Sequence, residues 1–227
     1  MNPSTKEIVT KLLQLHSPRT ILDCPSGDGW LARAIPDSVC DGIDLYNDHK
    51  SLYRNLIAAD LEKGIPSELP KYDLIACCEG IEHFGNPELF FRSCREHLKH
   101  EGLLLITTPN TWQPSSRLQF NFKGFFPGFP CLVGKIKKGN HMHIMPWNFP
   151  QLYLFLTLSG FKDIKLIDQP LSKPKHFYEK LLVLPQKLYC KNKLRKAMTQ
   201  VEKDFWMQAS KSASTLGRHL IVTAKKP

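Results

Sequence analysis

The sequence predicts an α/β fold: a mostly parallel sheet with helices on both faces. Three observations predict it. Apolar runs of strand length alternate with helix-length segments, the pattern of strands joined by crossover helices. Several runs end in an acid, at Asp23, Asp44 and Asp60, or are followed by one, at Glu79. The 227 residues, 42% of them hydrophobic, suffice for one sizeable core. A single domain over residues 1–227 is therefore expected, with two insertions at about 111–147 and 173–215.

The elements follow in order. Ser4-Thr5-Lys6-Glu7 reads as a capping box before Ile8, Val9, Leu12 and Leu13, so a helix opens the chain. Residues 20–24 read as a buried strand and 29–35 as the start of a helix. Residues 39–45 form a strand ending at Asp44, 57–61 a short strand ending at Asp60, and 72–78 a clear buried strand. Asn86-Pro87-Glu88 is a helix start, with an N-cap, Pro at the first position and an acid at the positive end of the dipole. That helix should run to about His100, where Gly102 ends it, and 103–107 is the next strand. A helix over 149–159 stops at Gly160, and strands over 161–168 and 219–225 close the pattern. The first insertion holds Phe120, Phe122, Phe125, Phe126 and Phe129 among Gly, Pro and Lys with no clear period. Loops of that length are usually functional lids or partly disordered. The second reads as two basic helices.

Composition excludes several classes. The longest apolar run, 152–161, is short of the roughly 20 residues a membrane span needs, and Thr157 and Ser159 interrupt it. The N-terminus lacks a secretory pattern. Seven cysteines without C-x-x-C spacing suggest neither a disulfide framework nor a zinc knuckle, and Cys24, Cys77 and Cys78 fit as small buried hydrophobes. A reducing cytoplasm is expected. The net charge of +10 lies entirely beyond residue 170, where 13 basic residues face 3 acidic ones. Such a surface is either a set of solvated helix faces or a seat for anionic partners: lipid headgroups, phosphorylated compounds or nucleic acid.

In an open parallel sheet, ligands bind outside the carboxyl ends of the strands, near the point where strand order reverses. The loop Pro25-Ser26-Gly27-Asp28-Gly29 follows the first strand, and its glycines admit close backbone approach. The acids discriminate the ligand. Asp44 can accept from both ribose hydroxyls, and Asp60 from an adenine amino group. Acids at successive strand ends suit hydroxyls and amines but repel a pyrophosphate, which wants amides and cations. The ligand that fits is S-adenosylmethionine, which carries a sulfonium, an ammonium and no phosphate.

Asp23-Cys24-Pro25-Ser26-Gly27-Asp28-Gly29 resembles the D-x-G-x-G-x-G loop of class I S-adenosylmethionine-dependent methyltransferases. Residues 72–83, ending Glu79-Gly80-Ile81-Glu82-His83, resemble that family's fourth strand and E-x-x-E-H turn. Residues 102–110, ending Thr108-Pro109-Asn110, resemble its fifth strand. The resemblance covers about residues 20–168 and the final strand. It implies a Rossmann-like sheet of seven strands with the last one antiparallel. It also implies Asp23, Ser26 and Gly27 beside the methionine part of the cofactor, with Gly29 completing the loop. Asp44 would then hold the ribose, Asp60 and Leu61 the adenine, and Cys78 and Glu79 the far wall. Pro25 departs from the pattern by replacing the first glycine. It is tolerated if that position needs a negative φ and no N–H.

Methyl transfer is an in-line displacement governed by positioning, and a hydroxyl acceptor also needs a base or a metal to ease loss of its proton. The candidates are Glu79, Glu82, His83, His141 and His143. Glu79, Glu82 and His83 converge if their turn is helical, and Asn140-His141-Met142-His143 precedes the helix at 149. The pattern resembles two metal-dependent branches, the ubiquinone-biosynthesis O-methyltransferases and the small-RNA 3′-end 2′-O-methyltransferases. That resemblance implies Glu79, Glu82, His83 and His143 as ligands of a divalent metal. The same segments occur in methyltransferases of sugar and cell-envelope pathways. There the implication is His83 or His143 as base, with Glu79 at the site and Glu82 bracing the turn. The leading expectation is O-methylation of a small-molecule or a glycan- or lipid-linked hydroxyl, with the basic C-terminal region near an anionic membrane. RNA 2′-O-methylation and a non-catalytic, cofactor-binding partner subunit are the alternatives. The retained Asp44, Asp60 and Glu79 count against the last.

Overall fold

A computed structural model describes residues 1–45, 52–129, 134, 142–169 and 176–227. His141 lies outside the described residues. The elements run α1 (Pro3–His16), β1 (Thr20–Asp23), α2 (Trp30–Ala34), β2 (Val39–Asp44), β3 (Asn55–Ala58), β4 (Tyr72–Cys78), α3 (Pro87–His97) and β5 (Leu98–Pro109). Then come α4 (Pro114–Lys123), α5 (Phe149–Leu158), β6 (Lys162–Leu166), α6 (Phe177–Lys196), α7 (Gln200–Ala209), α8 (Ser212–Thr215) and β7 (His219–Lys225). The seven strands form one sheet in the order β3-β2-β1-β4-β5-β7-β6. β1 to β5 are parallel, and β7 runs antiparallel to both β5 and β6. The chain leaves β1 toward β2 and β3, then returns to place β4 on the other side of β1. The switch point therefore lies between β1 and β4, where the Pro25 loop and the Glu79 turn emerge.

Side-chain alternation along the strands separates two cores. Leu22, Ile75, Cys77, Leu104, Ile106 and Val222 face α3, α5 and α7, among Phe90, Phe91, Leu152 and Ala209. Ile21, Leu74, Ala76, Leu105 and Ile221 face α1 and α2, among Val9, Leu13 and Leu31. The six described cysteines are all buried. Among the described residues, no helix is long and apolar enough to cross a membrane.

Several element limits differ from the sequence reading. Asn2, not Ser4, caps α1: its Oδ1 accepts from the Thr5 amide and the Ser4 hydroxyl. β3 ends at Ala58, so Asp60 lies beyond the strand and caps the 3-10 turn Leu61–Lys63. α3 stops at His97 because β5 begins at Leu98 and passes straight through Gly102. The first insertion contains α4, and its ends are clipped together where the Thr111 amide and hydroxyl both donate to the Trp147 carbonyl, each at 2.8 Å. Among the described residues, the second insertion holds three helices, α6 to α8.

Candidate active site

The switch point opens into a cavity of about 450 Å3 bounded by Pro25, Gly27, Asp44, Asp60, Leu61, Cys78, Glu79 and His83, among others. Its described lining holds four acids, Asp44, Asp60, Glu62 and Glu79, and no Lys or Arg. The size suits a small-molecule cofactor. The charge suits a cationic, phosphate-free one and repels a pyrophosphate. The Gly27 amide donates to Asp44 Oδ2 at 2.9 Å, which ties the loop to the end of β2. Gly27 takes a φ of 51°, the left-handed region that favours glycine. Asp60 Oδ1 accepts from the Glu62 amide at 3.1 Å while the residue also lines the cavity. Pro25 forms part of the wall. Its ring packs so closely on Gly80 that a side chain there would collide with it.

Six of the nine residues expected around the donor line this cavity: Gly27, Asp44, Asp60, Leu61, Cys78 and Glu79. Asp23, Ser26 and Gly29 do not; they support the loop from behind. Asp23 is buried, and burial pushes its carboxyl well above the usual range despite the Tyr53 hydroxyl donating to Oδ2 at 2.8 Å. The backbone of Ser26 bonds to Ile43 and Gly29. Gly29 is the N-cap of α2, packed against Leu52.

Glu79 stands at φ 55°, a left-handed conformation that a non-glycine residue holds only at a cost, and such residues cluster at functional sites. Its carboxylate is held from both sides. Thr107 Oγ1 donates to Oε1 at 3.0 Å, and His219 Nε2 lies 3.2 Å from Oε2. The Asn2 amide meets His219 Nδ1 at 3.1 Å. Because Asn2 Oδ1 already accepts from Thr5 and Ser4, its NH2 faces His219, which leaves the Nε2 proton to point at Glu79. Burial raises the Glu79 pKa, but the hydrogen bonds from His219 and the Thr107 hydroxyl outweigh it, and the net shift is downward. His219 was not legible as a site residue. Its only signal is its position on β7 opposite Pro109 at the end of β5.

Glu82 behaves oppositely. It is buried with one hydroxyl partner, Thr108 Oγ1 at 3.0 Å, and burial together with the nearby Glu79 charge pushes its pKa up to about 8. The segment returning from the first insertion closes on it: the Ile144 and Met145 amides both donate to the Glu82 carbonyl, at 2.8 and 3.0 Å. Trp147 Nε1 donates to the Ile81 carbonyl at 3.1 Å. These bonds bring His143 beside His83, ring centroids 5.1 Å apart. His83 Nδ1 lies 2.8 Å from the Met142 carbonyl, which can only accept, so Nδ1 carries the proton. The His143 ring bonds to the Pro127 carbonyl; burial lowers its pKa, opposed by the Glu79 charge and that bond. Ligand atoms of Glu82, His83 and His143 all lie within 4.8 Å of one another. Glu79, expected as a fourth ligand, stands outside this cluster because His219 and Thr107 hold its carboxylate.

A second cavity of about 310 Å3 adjoins the first. It is lined by Glu82, Asn110, Gln113, Phe126, His143, Trp147, Arg218 and His219, among others. The two cavities meet at the Glu79–His83 turn, with Glu79 and His83 facing one and Glu82 and His143 the other.

Residues 2–153 match the model of a protein family described as a methyltransferase domain. A ubiquinone biosynthesis O-methyltransferase of Glaesserella parasuis is 30% identical over 108 residues, 40% of this chain and 46% of that protein. The chain spans about half or less of the length of the curated relatives it matches first. Among solved structures, a SAM-dependent methyltransferase from Archaeoglobus fulgidus superposes with a TM-score of 0.58 at 17% identity, covering 97% of this chain and 94% of that one. Human N-acetylserotonin methyltransferase in complex with SAM gives 0.53 at 11% identity, covering 97% and 51%. At those identities the structural likeness speaks to the fold.

Proposed function

Since the chain belongs to the class I S-adenosylmethionine-dependent methyltransferases, we propose that it methylates the hydroxyl of a small-molecule acceptor held in the second cavity. When bound in the first cavity, S-adenosylmethionine supplies an electrophilic methyl group on a sulfonium. The observation that carries the proposal is the pair of carboxylates at the shared wall, whose pKa values are driven apart. Glu79, fixed by His219 and Thr107, stays an anion on the donor side and complements positive charge there. Glu82 and His143 face the acceptor, His83 stands at the boundary between the cavities, and Glu82 can take or hold a proton near neutral pH. An unprotonated amine is nucleophilic as it stands, whereas a hydroxyl needs its proton taken, so the arrangement favours oxygen. The relatives named as O-methyltransferases agree with that reading.

The same three residues fit a divalent metal, with one carboxylate oxygen and two imidazole nitrogens, each imidazole oriented by a backbone carbonyl. A metal held by Glu82, His83 and His143 would lower the pKa of an acceptor hydroxyl bound to it. The proposed acceptor class includes hydroxyl compounds carried on a glycan or a lipid. The lipid-carried form would bring the basic C-terminal quarter to an anionic membrane.

The test is transfer of isotope-labelled methyl from S-adenosylmethionine to a panel of phenolic, glycosidic and prenyl-tailed hydroxyl compounds. Products are identified by mass spectrometry. A methyl ether supports the proposal, and exclusive N- or C-methylation overturns it. Calorimetric titration with Mn2+ and Zn2+ separates the two roles of the cluster. One site weakened by His143→Ala but not by Asp44→Ala supports the metal. Absence of binding with full turnover in EDTA assigns the cluster to proton transfer.

A further inference from the structure

We propose that the outer face of α6 docks the protein onto an anionic lipid surface. One stripe of this helix reads Phe177, Leu181, Leu184, Leu188, Lys191, Arg195, at alternating spacings of four and three that keep all six on one side. The four apolar members are 73%, 57%, 53% and 58% exposed. The stripe turned toward the protein is Glu179, Val183, Gln186 and Cys190. The helix has therefore placed its more apolar side outward. A helix that covered only its own domain would be driven the other way round.

Charge decides among the occupants. α6 carries Lys180, Lys187, Lys191, Lys193, Arg195 and Lys196 against one acid, Glu179, which is buried. A second copy of the chain seated on this stripe would bring the same cations together. A lipid surface with phosphate headgroups offers both things the face presents a need for, hydrocarbon for the leucines and anions for the lysines. Tyr178 and Tyr189, both exposed on one flank, suit the boundary between the two. The apolar part of the stripe is about 17 Å long at 1.5 Å per residue, so it lies in the surface and does not cross it. Arg117 of α4 donates to the Leu182 carbonyl of α6 at 2.6 Å, and Ser115 and Ser116 of α4 line the acceptor cavity. Docking through α6 would thus hold that cavity's wall beside the lipid. This inference gives the membrane contact proposed above a surface and a partner, and it rests on that contact and not on the identity of the acceptor.

The experiment is co-sedimentation of the whole chain with vesicles of phosphatidylcholine alone or mixed with phosphatidylglycerol, at low and high salt. The expected result is binding to the mixed vesicles that weakens with salt. Leu181→Glu/Leu188→Glu should lose it by roughly tenfold or more, and Lys180→Gln/Lys191→Gln should lose the salt-sensitive part. Affinity for S-adenosylhomocysteine, measured on each variant, reports that the fold and donor site are intact. Equal binding by the wild type and the leucine variant, or no binding to mixed vesicles, overturns the inference. So does self-association in sedimentation velocity that the leucine variant abolishes, which would assign the face to a second copy. Lost docking with donor binding intact bears on α6 alone, and failed methyl transfer bears on the proposed function alone.

Discussion

The two cavities share a wall, yet they are assembled from different kinds of sequence. The donor cavity is made at the ends of β1, β2, β3 and β4, from residues that stand next to the strand that positions them. The acceptor cavity is made from distant pieces: Glu82 after β4, Asn110 and Gln113 after β5, His143 from the returning insertion, and Arg218 and His219 at β7. A site built locally can be altered one residue at a time. A site built from four segments depends on the bonds that hold the segments together, and here those are the contacts of 143–147 on the Glu82 carbonyl and Ile81.

If that contrast is right, changes at Glu82 should remove chemistry while sparing donor binding. Glu82→Gln should lower the methyl-transfer rate by about 10^2 to 10^4, measured with an acceptor from the screen above, and leave S-adenosylhomocysteine affinity nearly unchanged. The wild-type rate should rise with pH through about 8 and level off above it, because the carboxylate is protonated below that value. The variant should lose this limb. Stability carries the opposite sign. The folded pKa of about 8 lies above the ordinary 4.5, so the folded state holds the extra proton, and stability falls as pH rises between those values. Thermal denaturation of Glu82→Gln should show a flatter dependence there. An unchanged pH limb in the variant would move the proton-handling role to another group.

Asp44 probes the other side of the wall. Asp44→Ala removes a charged acceptor of hydrogen bonds. Donor affinity should fall by about 10- to 100-fold, the equivalent of roughly 1.5–3 kcal/mol. The acceptor KM should hold. Calorimetry with S-adenosylhomocysteine reads the first, and steady-state kinetics the second. If both constants moved together, the cavities would not be separable as drawn.

The same contrast explains what could be read from the sequence. β4, β7, the cap of α3 and the end of β2 at Asp44 lie within a residue of their expected limits, because each is set by apolar runs and caps a few residues long. Asp60 was legible as a lining residue but not as a 3-10 cap, since both uses demand an acid after a short apolar run. Asp23 and Ser26 carry the motif yet sit behind the loop, because Tyr53 arrives from a distant segment to occupy the Asp23 carboxyl. Glu79 and Glu82 look alike in an E-x-x-E-H turn. Burial and the Glu79 charge raise Glu82, while Glu79 is lowered by Thr107 and by His219, which is 140 residues away from it and arrives only when β7 inserts beside β5. Pairings across the sheet are invisible to spacing along the chain.

The smallest effect is the most discriminating. Gly128 has a φ of 80°, and a side chain added there would run into the His143 ring. Gly124 has nearly the same backbone, at φ 77°, with nothing within 4 Å of an added Cβ. Alanine at either position carries the same left-handed penalty of about 1–2 kcal/mol, so both variants should lose similar stability on denaturation. Only Gly128→Ala should also displace His143. Its methyl-transfer rate should fall by roughly tenfold, at unchanged donor affinity, while Gly124→Ala keeps the wild-type rate. Equal rates in the two variants would mean that His143 does not act on the acceptor. The returning segment would then serve only to close the second cavity over Glu82.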